Sequence, residues 1–395
     1  MRNGYRITVC FCAAALAVVG GLVAVEVIRI AGDALGRPGI EAFYEQPVGA
    51  RDGDPGTIVK ADELLGAPLA SRAWRIMYRT SDVHGDRAVA TGVLIVPLTP
   101  APPGGRTVLS WGHPTTGAAR ECAPSYGFDP FLGIEGLRFL LNRGYAVVAT
   151  DYVGMGTEGA DSYLVGATGG NAVLDAARAA RAIPQSQASD RVVLWGHSQG
   201  GAAVLFAAER ADAYAPELQI EAVAAAAPAA NLTDLMQAHL DDISGVTIGS
   251  HAFTAFAEIY DEPINEILTP TAQEIVPRMN ELCLLTHIEE LHAIGEPLVG
   301  DFTTVDPTTT EPWATLLQEN SAGSVGFDAP LFIAQGLEDE LVVPQDTTDF
   351  AEHEASLGIR VTYQEIPFAT HGTVAYLALP GMLQWLAAVE RMTAG

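Results

Sequence analysis

Short apolar runs alternate along this chain with longer stretches of helical spacing, and the alternation predicts most of the fold. Residues 74–79 and 88–97 read as strands joined by a polar turn over 82–86, an antiparallel hairpin. Residues 107–111 follow as a short buried strand, 136–143 as a helix, 146–150 as a strand and 170–183 as an alanine-rich helix. Next come a strand at 191–195, a helix at 200–211 and a strand at 220–226. The rhythm resumes with a strand at 331–335, a helix at 347–357, a strand at 360–366 and a last helix at 383–391. Buried strands separated by helices imply a mostly parallel sheet covered on both faces, so the fold class is α/β.

Two stretches break this rhythm. Residues 231–328 carry apolar helical patches at 243–259 and 275–291, interrupted by Pro263, Pro270, Pro277, Pro297, Pro307 and Pro312, without a convincing buried strand. They read as a helical insertion over the carboxyl ends of the sheet, where open α/β folds bind ligands. Near the start, Ile7 to Val25 are nineteen uncharged, mostly apolar residues behind Arg2 and Arg6. That is a targeting segment that contacts the membrane, either a cleaved secretory signal or an uncleaved anchor. Its length and the lack of a clean A-x-A site after it lean toward the anchor, and both readings place the rest of the chain outside. The expected organisation is a signal or anchor segment at 1–35, a core at 36–230 and 329–395, and an inserted helical unit at 231–328.

Composition narrows the class. With 49% hydrophobic and 17% charged residues among 395, the chain must fold rather than stay disordered. The net charge is −27 and Lys60 is the single lysine, so a nucleic-acid partner, which needs clustered cations, is excluded. Cys10 and Cys12 sit inside the N-terminal apolar run, leaving Cys122 and Cys283 in the exported part. That pair reads either as a disulfide suited to an oxidising compartment or as two separate buried thiols.

Candidate chemistry centres on Gly196-His197-Ser198-Gln199-Gly200, a G-x-S-x-G pattern. The pentapeptide alone is weak in a chain with 40 glycines, but here an apolar strand leads into it and a helical segment leaves it, the context a nucleophile elbow needs. Ser198 is the candidate nucleophile, with Gly196 and Gly200 where the turn brings backbone against backbone. A serine hydroxyl needs a histidine to take its proton and a carboxylate to hold that histidine's tautomer. His371 follows the strand at 360–366 in a loop before the final helix, as the Ser…Asp…His order demands, whereas His197 is expected to point elsewhere. Asp339 ends the strand at 331–335, with Glu338 and Glu340 as alternatives. The oxyanion donors are then the N–H of Gln199 and, because Pro114 has none, that of Thr115, with Thr116 as the weaker candidate. His113 and Asp151 read as structural, and His287 with His292 lacks the spacing of a metal site, so no metal or other cofactor is expected.

The segments His113-Pro114-Thr115-Thr116-Gly117, Cys122-Ala123-Pro124-Ser125-Tyr126 and Asp151-Tyr152-Val153-Gly154-Met155-Gly156, together with the elbow and the long insertion, resemble the secretory lipase family of the fungal lipase A type and its bacterial relatives. The resemblance spans about residues 40 to 390. It implies an α/β-hydrolase core with a helical lid inserted after the sixth strand, a lipase or carboxylesterase acting on acyl esters, and a bond from Cys122 to Cys283 tying lid to core. Pro114 stands where the family more usually has glycine. An acyltransferase or peptidase would use the same triad, and a binding protein that kept only the fold is the reading from another class.

Overall fold

The computed structural model describes residues 39–127 and 129–393; the segment at 1–35 expected to be a signal or anchor lies outside them. One nine-stranded sheet organises the chain, in the order β1-β2-β3-β5-β4-β6-β7-β8-β9. The strands are β1 (Ile58–Glu63), β2 (Ser71–Ser81), β3 (Arg87–Pro97), β4 (Arg106–Gly112), β5 (Ala146–Val153), β6 (Ala188–His197), β7 (Gln219–Ala226), β8 (Leu331–Gly336) and β9 (Val361–Ile366). Pairing is antiparallel from β1 to β3 and between β3 and β5, and parallel from there to β9. The hairpin of β2 and β3 turns where expected: Asp82 Oδ1 accepts the N–H groups of His84 and Asp86, both at 2.9 Å.

The parallel strands are apolar on both faces because helices cover both. Along β6, Val192 and Leu194 face one core with α2 (Gly166–Ala182) and α3 (Gln199–Tyr214). Val193 and Trp195 face the other, with α1 (Leu137–Asn142) and the final helix. This is the two-residue alternation of a strand read in three dimensions.

Residues between β7 and β8 form α4 (Leu232–His239), α5 (Ile243–Tyr260), α6 (Pro270–Asn280), α7 (Leu284–Gly295) and α8 (Trp313–Glu319), and among the described residues no strand of the sheet falls there. Their starts are encoded locally. Asn231, Asp242 and Thr269 cap α4, α5 and α6 through their side-chain oxygens, and Pro270 occupies the first turn of α6, where a missing N–H costs nothing. Phe253, Phe256, Phe302 and Trp313 join these helices to the core that holds Trp111 and Trp195.

Two elements differ from expectation. The edge strand β1 has no apolar alternation and is half exposed, so its sequence does not announce it. After α9 (Pro344–Ser356), the final helix α10 spans His371–Thr393, starting twelve residues before the expected point. Gly372, Pro380 and Gly381 read as breakers, but Val374, Ala378, Met382, Leu386 and Val389 bury one stripe, and that packing outweighs the lost hydrogen bond at Pro380.

Glu354 on α9 is fully buried, and neither carboxylate oxygen finds a hydrogen-bond partner among the described residues. Burial, with a smaller push from the Glu209 carboxylate, raises its pKa to about 8. The folded protein therefore keeps a proton that the unfolded chain releases near pH ~4.3, and stability falls as pH rises between these values. Glu354→Gln is expected to melt above the wild type at pH 8 and level with it at pH 4; equal melting at both pH values would refute this.

Candidate active site

Ser198 occupies the single residue between β6 and α3, at φ +56° and ψ −119°. A non-glycine residue in that region costs about 1–3 kcal/mol and persists only where its surroundings over-determine it. Here the Ser198 N–H donates to the Ala226 carbonyl at 3.0 Å, and the Ser198 carbonyl accepts from Ala202 and Ala229, each at 3.1 Å. The flanking glycines are obligatory. A Cβ on Gly196 would lie 2.1 Å from the Gly200 carbonyl oxygen, and one on Gly200 would lie 2.0 Å from that of Gly112.

The fold brings Ser198, His371 and Asp339 together from three elements. Ser198 Oγ is 2.9 Å from His371 Nε2, and His371 Nδ1 is 2.8 Å from Asp339 Oδ2. The other Asp339 oxygen accepts the Leu341 and Val342 N–H groups at 3.0 and 2.9 Å, so the carboxylate is held as an acceptor. His371 Nδ1 must then donate, which leaves Nε2 its lone pair to receive the serine proton. Asp339 is buried while Glu338 and Glu340 are exposed. His371 opens α10 rather than lying in a free loop, a correction that follows from the longer helix.

Gln199 is the first residue of α3, where the N–H has no partner within the helix and the helix dipole favours negative charge. Thr115 lies in the loop after β4, its hydroxyl 2.9 Å from that of Tyr163, while the Thr116 carbonyl accepts the Leu284 N–H at 2.9 Å. His113 is buried, its pKa lowered by burial to about 4, and its Nδ1–H donates to the Pro114 carbonyl at 2.6 Å. Asp151 accepts from Thr91 and from the Ser125 N–H and hydroxyl, a closed set without His371. Cys122 and Cys283 are disulfide-bonded. His287 sits at a non-helical kink of α7, and among the described residues no cluster of three or more His, Cys, Asp or Glu is arranged to hold a metal.

Sequence reasoning missed one pair of partners. His197 points away from the Ser198 hydroxyl, as expected, but toward the His371 backbone carbonyl and the buried Glu135. A hint was present in Glu135 itself, a lone carboxylate in an otherwise apolar stretch before α1.

Residues 134–393 match the family model described as "Secretory lipase". The chain belongs to the secretory lipase family. Within that likeness, it is 25% identical to lipase A of Arthroderma benhamiae, over 91% of this chain and 81% of the relative. It is 24% identical to a Mycobacterium tuberculosis protein named a probable inactive lipase, over 88% and 81%. Among solved structures it superposes on Candida antarctica lipase A in its closed state with a TM-score of 0.72, at 20% identity, over 88% of this chain and 85% of that one. The family's α/β-hydrolase fold is thus the fold of this chain.

Proposed function

We propose that this family member is an exported serine hydrolase, a lipase or carboxylesterase, that cleaves acyl esters through an acyl-enzyme on Ser198. The observation that carries the reading is the continuous pair of hydrogen bonds from Asp339 through His371 to Ser198, in the one tautomer that lets His371 act as a base. Ser198 Oγ adds to the ester carbonyl as its proton passes to His371 Nε2. The N–H groups of Gln199 and Thr115 hold the oxyanion, and collapse expels the alcohol, which takes the proton from Nε2. Water repeats the sequence on the acyl-enzyme and releases the acid. No electron changes hands, so the cycle calls for no redox cofactor.

Residues 231–328 serve as a lid in this reading. They touch both loops that carry proposed site groups: His239 on α4 is 2.9 Å from the Leu341 carbonyl, beside Asp339, and Leu284 binds Thr116, beside Thr115. Export is supported by the disulfide, which suits an oxidising compartment, and by the N-terminal apolar run. With a surface this acidic, a lipid substrate would be met through apolar contacts rather than through charge.

The test is hydrolysis of a ladder of nitrophenyl esters from short to long acyl chains, by wild type and by Asp339→Asn. An amide at 339 can donate to Nδ1 and so place the proton on Nε2, the wrong nitrogen. The expected loss in kcat is about 10⁴-fold with the fold unchanged. Wild-type protein inert toward the whole ladder, or an undiminished Asn variant, would overturn the assignment.

A further inference from the structure

Behind the His371 imidazole runs a second set of buried hydrogen bonds that the proposed cycle does not use. Glu135, in the turn before α1, is 2% exposed, and its Oε2 accepts the indole N–H of Trp111 at 2.7 Å. Its backbone carbonyl accepts the indole N–H of Trp195 at 3.1 Å. Trp111 and Trp195 are register partners on β4 and β6, so two neighbouring strands clamp this one residue. The remaining oxygen, Oε1, lies 3.2 Å from His197 Nδ1, and His197 Nε2 lies 2.9 Å from the backbone carbonyl oxygen of His371.

Proton roles in this set follow from the acceptors. A carbonyl has only lone pairs to offer, so His197 Nε2 must carry a hydrogen. Glu135, itself held by both indoles, sets where the His197 ring sits, and the ring in turn meets the His371 carbonyl.

We propose that Glu135 and His197 are positioning residues for His371, an inference that rests on the hydrolase reading above. His371 stands at the start of a helix, and the turn leading to it is exposed at Phe368, which is 81% accessible and at φ +61°. Side-chain bonds to Asp339 and Ser198 orient the ring, but they do not fix the backbone that carries it. The Glu338 N–H holds the turn at the Ala369 carbonyl, and His197 supplies the side-chain anchor at His371 itself. Because His197 is covalently next to Ser198, any small shift of the elbow moves the nucleophile and the anchor of its base together. Their separation is preserved, and it is this separation that a displacement of about 1 Å would spoil, at a cost of around 10²-fold in rate.

The test compares His197→Phe, which keeps a ring without a donor, with His197→Gln, whose amide N–H can reach for the same carbonyl. In the Phe variant kcat on a nitrophenyl ester is expected to fall about 10- to 100-fold. KM should stay within about twofold, and the Gln variant should recover most of the loss, a pattern that loss of packing alone would not produce. If Phe against the unpaired Glu135 prevents folding, the double variant Glu135→Gln with His197→Phe removes the buried charge and carries the same expectation. A Phe variant with wild-type kcat, or a Gln variant as slow as the Phe variant, overturns the positioning role. Activity lost on Ser198→Ala and kept in His197→Phe would sink this inference alone, whereas activity kept in Ser198→Ala would sink the hydrolase reading.

Discussion

Ser198→Ala is expected to lower kcat for ester hydrolysis by about 10⁶-fold, because the nucleophile and its base act as a unit and removing either removes the acyl-enzyme route. The substitution is clean. The Ser198 hydroxyl is hydrogen-bonded to His371, while the bonds that hold the strained turn are backbone bonds to Ala226, Ala202 and Ala229, which alanine keeps. Alanine also occupies the positive-φ position with the same Cβ, so the melting temperature should be unchanged. A fluorophosphonate probe should label the wild type and not the variant. Turnover above about one part in 10³ of wild type, far more than the oxyanion donors and binding alone sustain once the nucleophile is gone, would refute the assignment. The experiment has added force because a relative 24% identical to this chain is named a probable inactive lipase. In this chain the serine, the histidine and the carboxylate are all present and hydrogen-bonded, the arrangement that turnover requires.

What the sequence made legible was local. The change from strand to helix at Ser198 is visible because the unbroken apolar run of 192–195 gives way to helical spacing within five residues, with glycines where backbones touch. The chain order of serine, acid and histidine then points to Asp339 and His371. What stayed hidden depended on contacts between distant segments. The stripe that sustains α10 through Pro380 cannot be weighed before its neighbours are known, and β1 is a strand only because β2 offers an edge. The contact of Glu135 with His197 spans 62 residues, and that of His197 with His371 spans 174. A histidine beside the nucleophile therefore looks idle until the fold closes.

Loss of the disulfide should have the second-largest effect, this time on stability. Cys122 and Cys283 are separated by 161 residues, so the bond closes a loop that contains the elbow and most of the helical segment between β7 and β8. In the chain-entropy model a loop of this length is worth about 5 kcal/mol, most of it from restricting the unfolded chain. For a folded body of this size that corresponds to a melting temperature lower by roughly 7 °C in the double variant Cys122→Ser, Cys283→Ser. The local geometry adds a functional consequence. The bond lies beside the paired Gly117 and Cys283 backbones and the Leu284-to-Thr116 hydrogen bond, the seam where α7 meets the loop carrying Thr115. If Thr115 provides an oxyanion donor, loosening that seam should lower kcat well below the melting transition, while fluorophosphonate labelling of Ser198 slows in parallel. Mild reductant on the wild type should reproduce both changes. A double variant that melts with the wild type and turns over at the same rate would mean that packing of the helical segment, not the covalent bond, holds it to the sheet.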